Sequence, residues 1–323
     1  MICLWIVAIL SIFAIGLGFR ASINLRLVRY QRDRLKCSFM AVAGINKAIV
    51  LLEDDALSSQ TNDYDTPGEC GVELKGKDPK DIFSFKSDSE NTGFEIGYKN
   101  SSGEFVYGFQ DEASKVFLNG SKEEDKYRAQ ILLESKNIEG AQELSEAIAK
   151  LIGAEGQVEL AKKEKFKVPE ELLLVFEAFY SQTKHYSPQE AASKEQGEFL
   201  KIKELVSIYG EGKLNLNTAS DEAISIVTQA MAKKLNIDIE VANTLSEKII
   251  KLRQAGLLKS NEAIALEDLT PEETSIFDGL KPTLSVKSDI FWMNTTAKSR
   301  DIIKKIIAAY DRQAHKIIYW HEN

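Results

Sequence analysis

Cysteine and histidine are scarce in this sequence of 323 residues, with three of each: Cys3, Cys37 and Cys70, and His185, His315 and His321. There is no C-x-x-C and no H-E-x-x-H, which excludes the common zinc sites, and three thiols cannot build a disulfide-stapled miniprotein. A Gly-x-Ser-x-Gly elbow and a Walker-type phosphate loop are also missing, and Gly210-Glu211-Gly212 reads as a turn rather than a dinucleotide fingerprint. His321 beside Glu322 reads as solvated surface. No catalytic residue and no cofactor site is therefore expected, and the chain is not read as an enzyme. An excess of positive charge is lacking as well. The formal net charge is −8 and the pI about 5.2, which argues against bulk binding of nucleic acid or anionic lipid while leaving room for a local basic patch.

What the chain does have begins at its start. Residues 1–19 carry no charge and read as near-continuous apolar sequence. At 1.5 Å per residue about 19 residues nearly span a hydrocarbon core of about 30 Å. A buried core helix is the alternative, but such a helix is seldom uncharged all round. A secretory signal peptide would need a basic region before the apolar run and a small-residue cleavage site after it, and neither is present. No Pro or Gly interrupts 21–43, and apolar residues recur every three or four positions at Ile23, Leu27, Tyr30, Leu35, Phe39, Val42, Ile45 and Ile49. This spacing predicts one long helix, lipid-embedded over 1–19 and amphipathic over 20–53. Arg20, Arg26, Arg29, Arg32, Arg34 and Lys36 follow the apolar run with only Asp33 opposing them. By the positive-inside rule alone, that side would be cytoplasmic.

Residues 53–70 form an acidic, turn-rich stretch, predicted to be a loop. Its Asp54, Asp55, Asp63, Asp65 and Glu69 are hard oxygen donors, and Asp63, Asp65 and Glu69 are the candidate calcium ligands, although their spacing is not that of an EF-hand and a solvated acidic loop is the plainer reading. Cys37 and Cys70 could pair if they face an oxidising compartment; two separate thiols are the alternative. From Asp81 short alternating runs (IFSFKS, FEIGYKN, EFVYGFQ) predict antiparallel strands over 54–119. Residues 120–279 are predominantly helical, with helices expected at 126–136, 140–152, 170–180, 187–208, 220–232, 241–255 and 270–277. Residues 280–323 return to strand-like sequence, and Asp301 to Tyr310 suits helix and strand alike. A short internal echo links QDEASKVFLNGS (110–121) with YGEGKLNLNTAS (209–220).

These residues, taken in order, resemble the minor pseudopilin K family of type II secretion, over nearly the whole chain. The likeness is carried by RLVRYQRDRLKCSFMAVAGINKAI in the helix, by Asp111, Glu112, Lys115, Leu118 and Asn119, and by Pro169 to Leu173. It continues in KLNLNTAS, which contains Asn215, Asn217 and Thr218, and in the closing LSVKSDIFWM through AAYDRQAHKIIYWHEN. The resemblance implies an α+β fold in which a long N-terminal transmembrane and shaft helix carries a pilin-like antiparallel sheet, with a large helical domain inserted between its strands. It implies a single-pass inner-membrane protein with a periplasmic body at the tip of a short pseudopilus. Its partners would be the other minor pseudopilins and, indirectly, the secreted proteins. Assembly is expected through the helix face carrying Leu27, Leu35, Phe39 and Ile49. Family members are made with a short basic leader, whose charges would offset the Arg run; VFLNGS departs from the fuller Leu-Asn motif. The competing resemblance is to membrane-anchored helix-hairpin-helix DNA receptors. Against it, the stretch after Ser220 has no Gly before Gly256, and 213–285 holds 8 basic against 11 acidic residues, a net of −3. Nucleic acid is therefore not expected as a partner.

Overall fold

A computed structural model describes residues 2–57, 64–66, 77–87, 91–99, 103–120, 122–153, 165–183 and 186–323. The apolar start and the amphipathic stretch form one unbroken helix, α1 (Ile2–Leu57), about 84 Å long at 1.5 Å per residue. It extends past the predicted end, so that Asp54 and Asp55 belong to the helix and not to a loop. Up to Arg32 every described side chain is exposed, and the first buried one is Asp33. From there α1 lays Cys37, Ala41, Ile45, Ala48 and Leu52, all fully buried, against the sheet. These positions fall on one helical face. Gly44 is on the same face because a Cβ there would meet the Thr295 side chain.

The sheet is built from both ends of the remaining chain. A short helix α2 (Pro79–Phe83) leads into β1 (Ser84–Ser87), β2 (Thr92–Lys99), β3 (Phe105–Tyr107) and β4 (Gln110–Asp111). The closing segment contributes β9 (Ile290–Ser299), β10 (Ile302–Asp311) and β11 (Lys316–Glu322). The order is β1-β2-β9-β10-β11, antiparallel throughout, with β3 on β2 and β4 on β9. Phe94, Ile96, Phe291, Met293 and Ala297 meet α1 in the core. The ambiguous stretch at Asp301 to Tyr310 is strand. Its residues pair with β9 on one side and β11 on the other, and that pairing decides between two patterns its isoleucines satisfy equally.

Between β4 and β9 the chain makes two helical units of one design. The first runs through β5 (Val116–Phe117), α3 (Glu123–Ser135), α4 (Ala141–Ile152), α5 (Leu172–Ala178), α6 (Pro188–Ile202) and β6 (Val206–Ser207). The second runs through β7 (Leu214–Asn215), α7 (Asp221–Leu235), α8 (Ile239–Ala255), α9 (Pro271–Leu280) and β8 (Leu284–Ser285). Each unit closes by a parallel two-residue pairing, β5 with β6 and β7 with β8. Leu118 N donates to Ser207 O in the first, and Leu216 N to Ser285 O in the second. The helix hairpins turn through Asn137 (φ 52°) and Asn236 (φ 56°), both left-handed. In α4 and α8 a Leu-Ser-Glu recurs, with the buried Ser145 and Ser246 hydroxyls donating to the carbonyls of Gln142 and Asn243. One continuous apolar core spans both units. The helix expected over 187–208 stops at Ile202, where a 3-10 turn (Lys203–Leu205) redirects the chain into β6. The α+β class thus holds: a long helix, an antiparallel sheet and a helical block between its strands.

Candidate assembly face and the buried polar junction

The face of α1 turned away from the sheet is apolar and uncovered. Leu25, Val28, Leu35, Phe39 and Val50 are 59, 60, 59, 71 and 62% exposed. At about 100° per residue they form one stripe opposite Cys37, Ala41, Ala48 and Leu52. Of the residues expected on the assembly face, Leu35 and Phe39 lie on this stripe. Leu27 is exposed but lies on the sheet side, below the level where the sheet begins. Ile49 is a correction, since it is half-buried and packs on the sheet core beside Ala48. Asp33 locks the lower rim of the body, accepting from Arg300 at 3.0 Å and from Arg32 at 3.2 Å, which ties α1 to the β9–β10 turn.

A second constellation holds the helical units to the sheet. Asp111 ends β4, and its Oδ1 accepts from Ala113 N (2.7 Å) to start a 3-10 turn. Its Oδ2 accepts from Thr218 Oγ1 (2.5 Å), Ser288 Oγ (2.6 Å) and Asn215 Nδ2 (2.9 Å). One carboxylate oxygen thereby joins the start of the insertion, the link between the two units and the return to the sheet. Burial pushes the Asp111 carboxyl up, and the hydrogen bonds from Ser288, Thr218, Ala113 and Asn215 oppose that rise. Ser288 N donates to Asp65 Oδ2 at 2.6 Å, and Asp65 pairs with the buried Arg312 at 3.1 Å. Burial is the main cause that lifts Asp65 to about 7; Arg312 pulls it down and Asp111 pushes it further up.

Asp65 is therefore a buried ion-pair partner and not a ligand on an open acidic loop, while Asp63 and Glu69 lie outside the described residues. Among the described residues no group of three His, Cys, Asp or Glu side chains converges as a metal site would require. Glu112 is buried too, accepting from Lys115 Nζ (2.8 Å) and Trp292 Nε1 (2.5 Å). Cys37 is a free thiol whose Sγ donates to Ala297 O (3.4 Å) and Ile302 O (3.5 Å). Of the two alternatives raised for Cys37 this is the free thiol; Cys70 lies outside the described residues.

The remaining motif residues secure the two units internally. Asn119 donates to Phe166 O and Ile208 O and accepts from Phe166 N, each at 2.8 Å. Asn217 donates to Leu258 O (2.9 Å) and accepts from Leu258 N (3.1 Å). Asn215 Oδ1 accepts from Asn217 N, and Ser220 caps α7 through Ala223 N. Pro169 opens the 3-10 turn that starts α5. The sequence reading missed Ser288, Arg312 and Trp292, the partners that complete this junction. Arg312 sits in a segment otherwise read as strand, and no local spacing signals that its guanidinium turns inward.

No protein-family model and no curated protein matches the sequence. Among solved structures, one chain of the crystal structure of the GspK–GspI–GspJ complex from the type 2 secretion system of enterotoxigenic Escherichia coli is similar, with a TM-score of 0.57 at 14% identity. The match covers 92% of this chain and 99% of that one. At that identity the likeness is one of fold, and it extends over nearly the whole chain.

Proposed function

We propose that this chain is a K-type minor pseudopilin, a non-catalytic assembly subunit at the tip of a type II secretion pseudopilus. In this reading residues 1–19 anchor it in the bacterial inner membrane and the body stands in the periplasm. The observation that carries the proposal is the uncovered stripe Leu25, Val28, Leu35, Phe39 and Val50 on an unbroken helix, in a chain whose fold matches a subunit that assembles with GspI and GspJ. An apolar stripe along a shaft that spans both membrane and body suits lateral packing with similar helices. The helical units, inserted between β4 and β9, add bulk to the sheet end of that shaft, which suits a capping subunit. The net charge of −3 over 213–285 supports partners other than duplex DNA. No cofactor enters this function.

The full chain, co-expressed with the I- and J-type minor pseudopilins of its own organism, should purify with both as a stable complex, and a periplasmic reporter fused after Asn323 should be active. Regular filaments formed by this chain alone, or failure to retain either partner, would overturn the assignment.

A further inference from the structure

The charge of this protein is unevenly placed. Residues 20–36 hold six basic residues and one acidic residue, a net of +5, and residues 1–19 hold no charge. The rest of the chain therefore carries −13 of the total −8. The one acid, Asp33, is buried and already engaged by Arg32 and Arg300. Among the described residues, Arg20, Arg26, Arg29 and Arg34 are all exposed and have no acidic partner.

Their arrangement around the helix is informative. Taking Arg20 as zero, Arg32, Arg29, Arg26 and Arg34 fall at roughly 120, 180, 240 and 320°. The three nearest the apolar segment, Arg29, Arg26 and Arg20, spread over about half the circumference, outside the arc of the apolar stripe. A partner helix packing from one side would select one side, and the side available to it is the apolar stripe already described. So broad an arc of cations, lying off the stripe, suits a headgroup layer rather than a single partner helix. The heights agree: Arg26 and Arg29 lie about 9 and 14 Å along the axis from Arg20. Side chains on a helix lean toward its N-terminus, which here means back toward the apolar segment.

We propose that Arg20, Arg26 and Arg29 form a basic collar that gathers anionic phospholipid headgroups around the stem, at the membrane surface from which the body rises. The inference rests on reading residues 1–19 as the membrane anchor. The collar sets the height of the body, because Asp33, where the body begins, stands about 20 Å along the axis from Arg20. The −13 carried beyond residue 36 is repelled by the same headgroups, which keeps the body upright instead of lying on the bilayer.

The test uses the full chain reconstituted in phosphatidylcholine vesicles doped with spin-labelled phosphatidylglycerol or spin-labelled phosphatidylcholine. Electron spin resonance then reads the share of each lipid immobilised at the protein. The expected result is a preference for phosphatidylglycerol of about five-fold, the factor that one arginine at an anionic surface provides. The preference should fall as salt rises and the screening length shrinks from about 10 to about 3 Å between 0.1 and 1 M. It should vanish in R20Q/R26Q/R29Q and survive in R20K/R26K/R29K, with near-unchanged circular dichroism in both. Equal immobilisation of the two lipids, or a preference unchanged in the Gln variant, overturns the collar while leaving the anchor intact. Immobilisation of neither lipid removes the anchor and the collar together.

Discussion

Asn119 and Asn217 make the same clamp in two successive helical units, each amide gripping both the N–H and the C=O of one distant residue, Phe166 and Leu258 respectively. Each clamp bridges from the strand that opens the unit to the segment that follows its helix hairpin. A buried amide is well suited to this, since it offers a donor and an acceptor side by side.

Asn119→Ala orphans a backbone N–H and weakens the hold on two carbonyls, and Asn217→Ala does the same around Leu258. Each substitution is expected to cost about 2–3 kcal/mol. Because the clamps are separate, hydrogen exchange should show α3 and α4 opening first in the Asn119 variant, and α7 and α8 in the Asn217 variant. Uniform loss of protection across both units would show that the clamps do not act locally.

On α1, Leu35→Asp and Phe39→Asp together should weaken complex formation with partner pseudopilins at least about thirty-fold, the effect of losing one centrally placed anchor. The melting temperature of the isolated protein should barely move, since both side chains are exposed. Ile49→Asp is expected to act differently. It puts a charge beside the sheet core and should lower stability before it affects assembly. Co-purification and thermal melts on the two variants separate the effects.

Asp65 titrates near 7 in the folded protein against 3.8 for an ordinary Asp. Between those values the folded state keeps a proton that the unfolded chain has lost, so this contribution to stability is present below about pH 4 and is lost as the pH rises to 7. The loss is on the order of 2–4 kcal/mol. In Asp65→Asn that slope should disappear, although the variant is less stable at pH 7 because Arg312 loses its counter-charge. Urea midpoints at pH 4.5 and 7.5 decide the matter. A slope equal in the two proteins would place the titration elsewhere.

Burial raises the Cys37 thiol above its ordinary range, and Lys304 and the backbone around Ser299 and Lys304 only partly oppose this. In a C3S/C70S background Cys37 should react with a maleimide about a thousand-fold or more slower than in denaturant, since it must wait for unfolding. Fast labelling of the native protein would mean that α1 lifts from the sheet.

Much of this architecture was legible in the residues themselves, and the reasons differ by element. The long helix declared itself because no Pro breaks it and an uncharged start runs on into an apolar period that persists to Ile49. The strand runs FEIGYKN and EFVYGFQ alternate cleanly, and β2 and β3 lie in them. Asp301 to Tyr310 was undecidable because Ile302, Ile303, Ile306 and Ile307 fit either period, and only neighbours on both sides settle it. The outer stripe was misplaced because Ile49 and Leu27 fit the apolar period, and which arc of an amphipathic helix is covered depends on where the sheet sits. The duplication of the helical units showed only as a faint echo, since the shared features are a few asparagines and one Leu-Ser-Glu while the lengths between them differ. Arg312 was invisible because burying a guanidinium requires a carboxylate that is 247 positions away.

The pairing of β2 with β9 has a kinetic consequence. Thr92–Lys99 cannot find its neighbour until Ile290–Ser299 has been made, and at 5–20 residues per second that delay is roughly 10–40 s. Through that interval β2 has its neighbours β1 and β3 but offers a bare edge where β9 will go. The first helical unit is closed once Ser207 is made and can begin to form meanwhile, while the second closes only with β8 and packs on the first through the shared core. Nascent chains should therefore pass through a species with a forming first helical unit and an unfinished sheet, and it is at that stage that a chaperone or a premature strand partner has access to the protein.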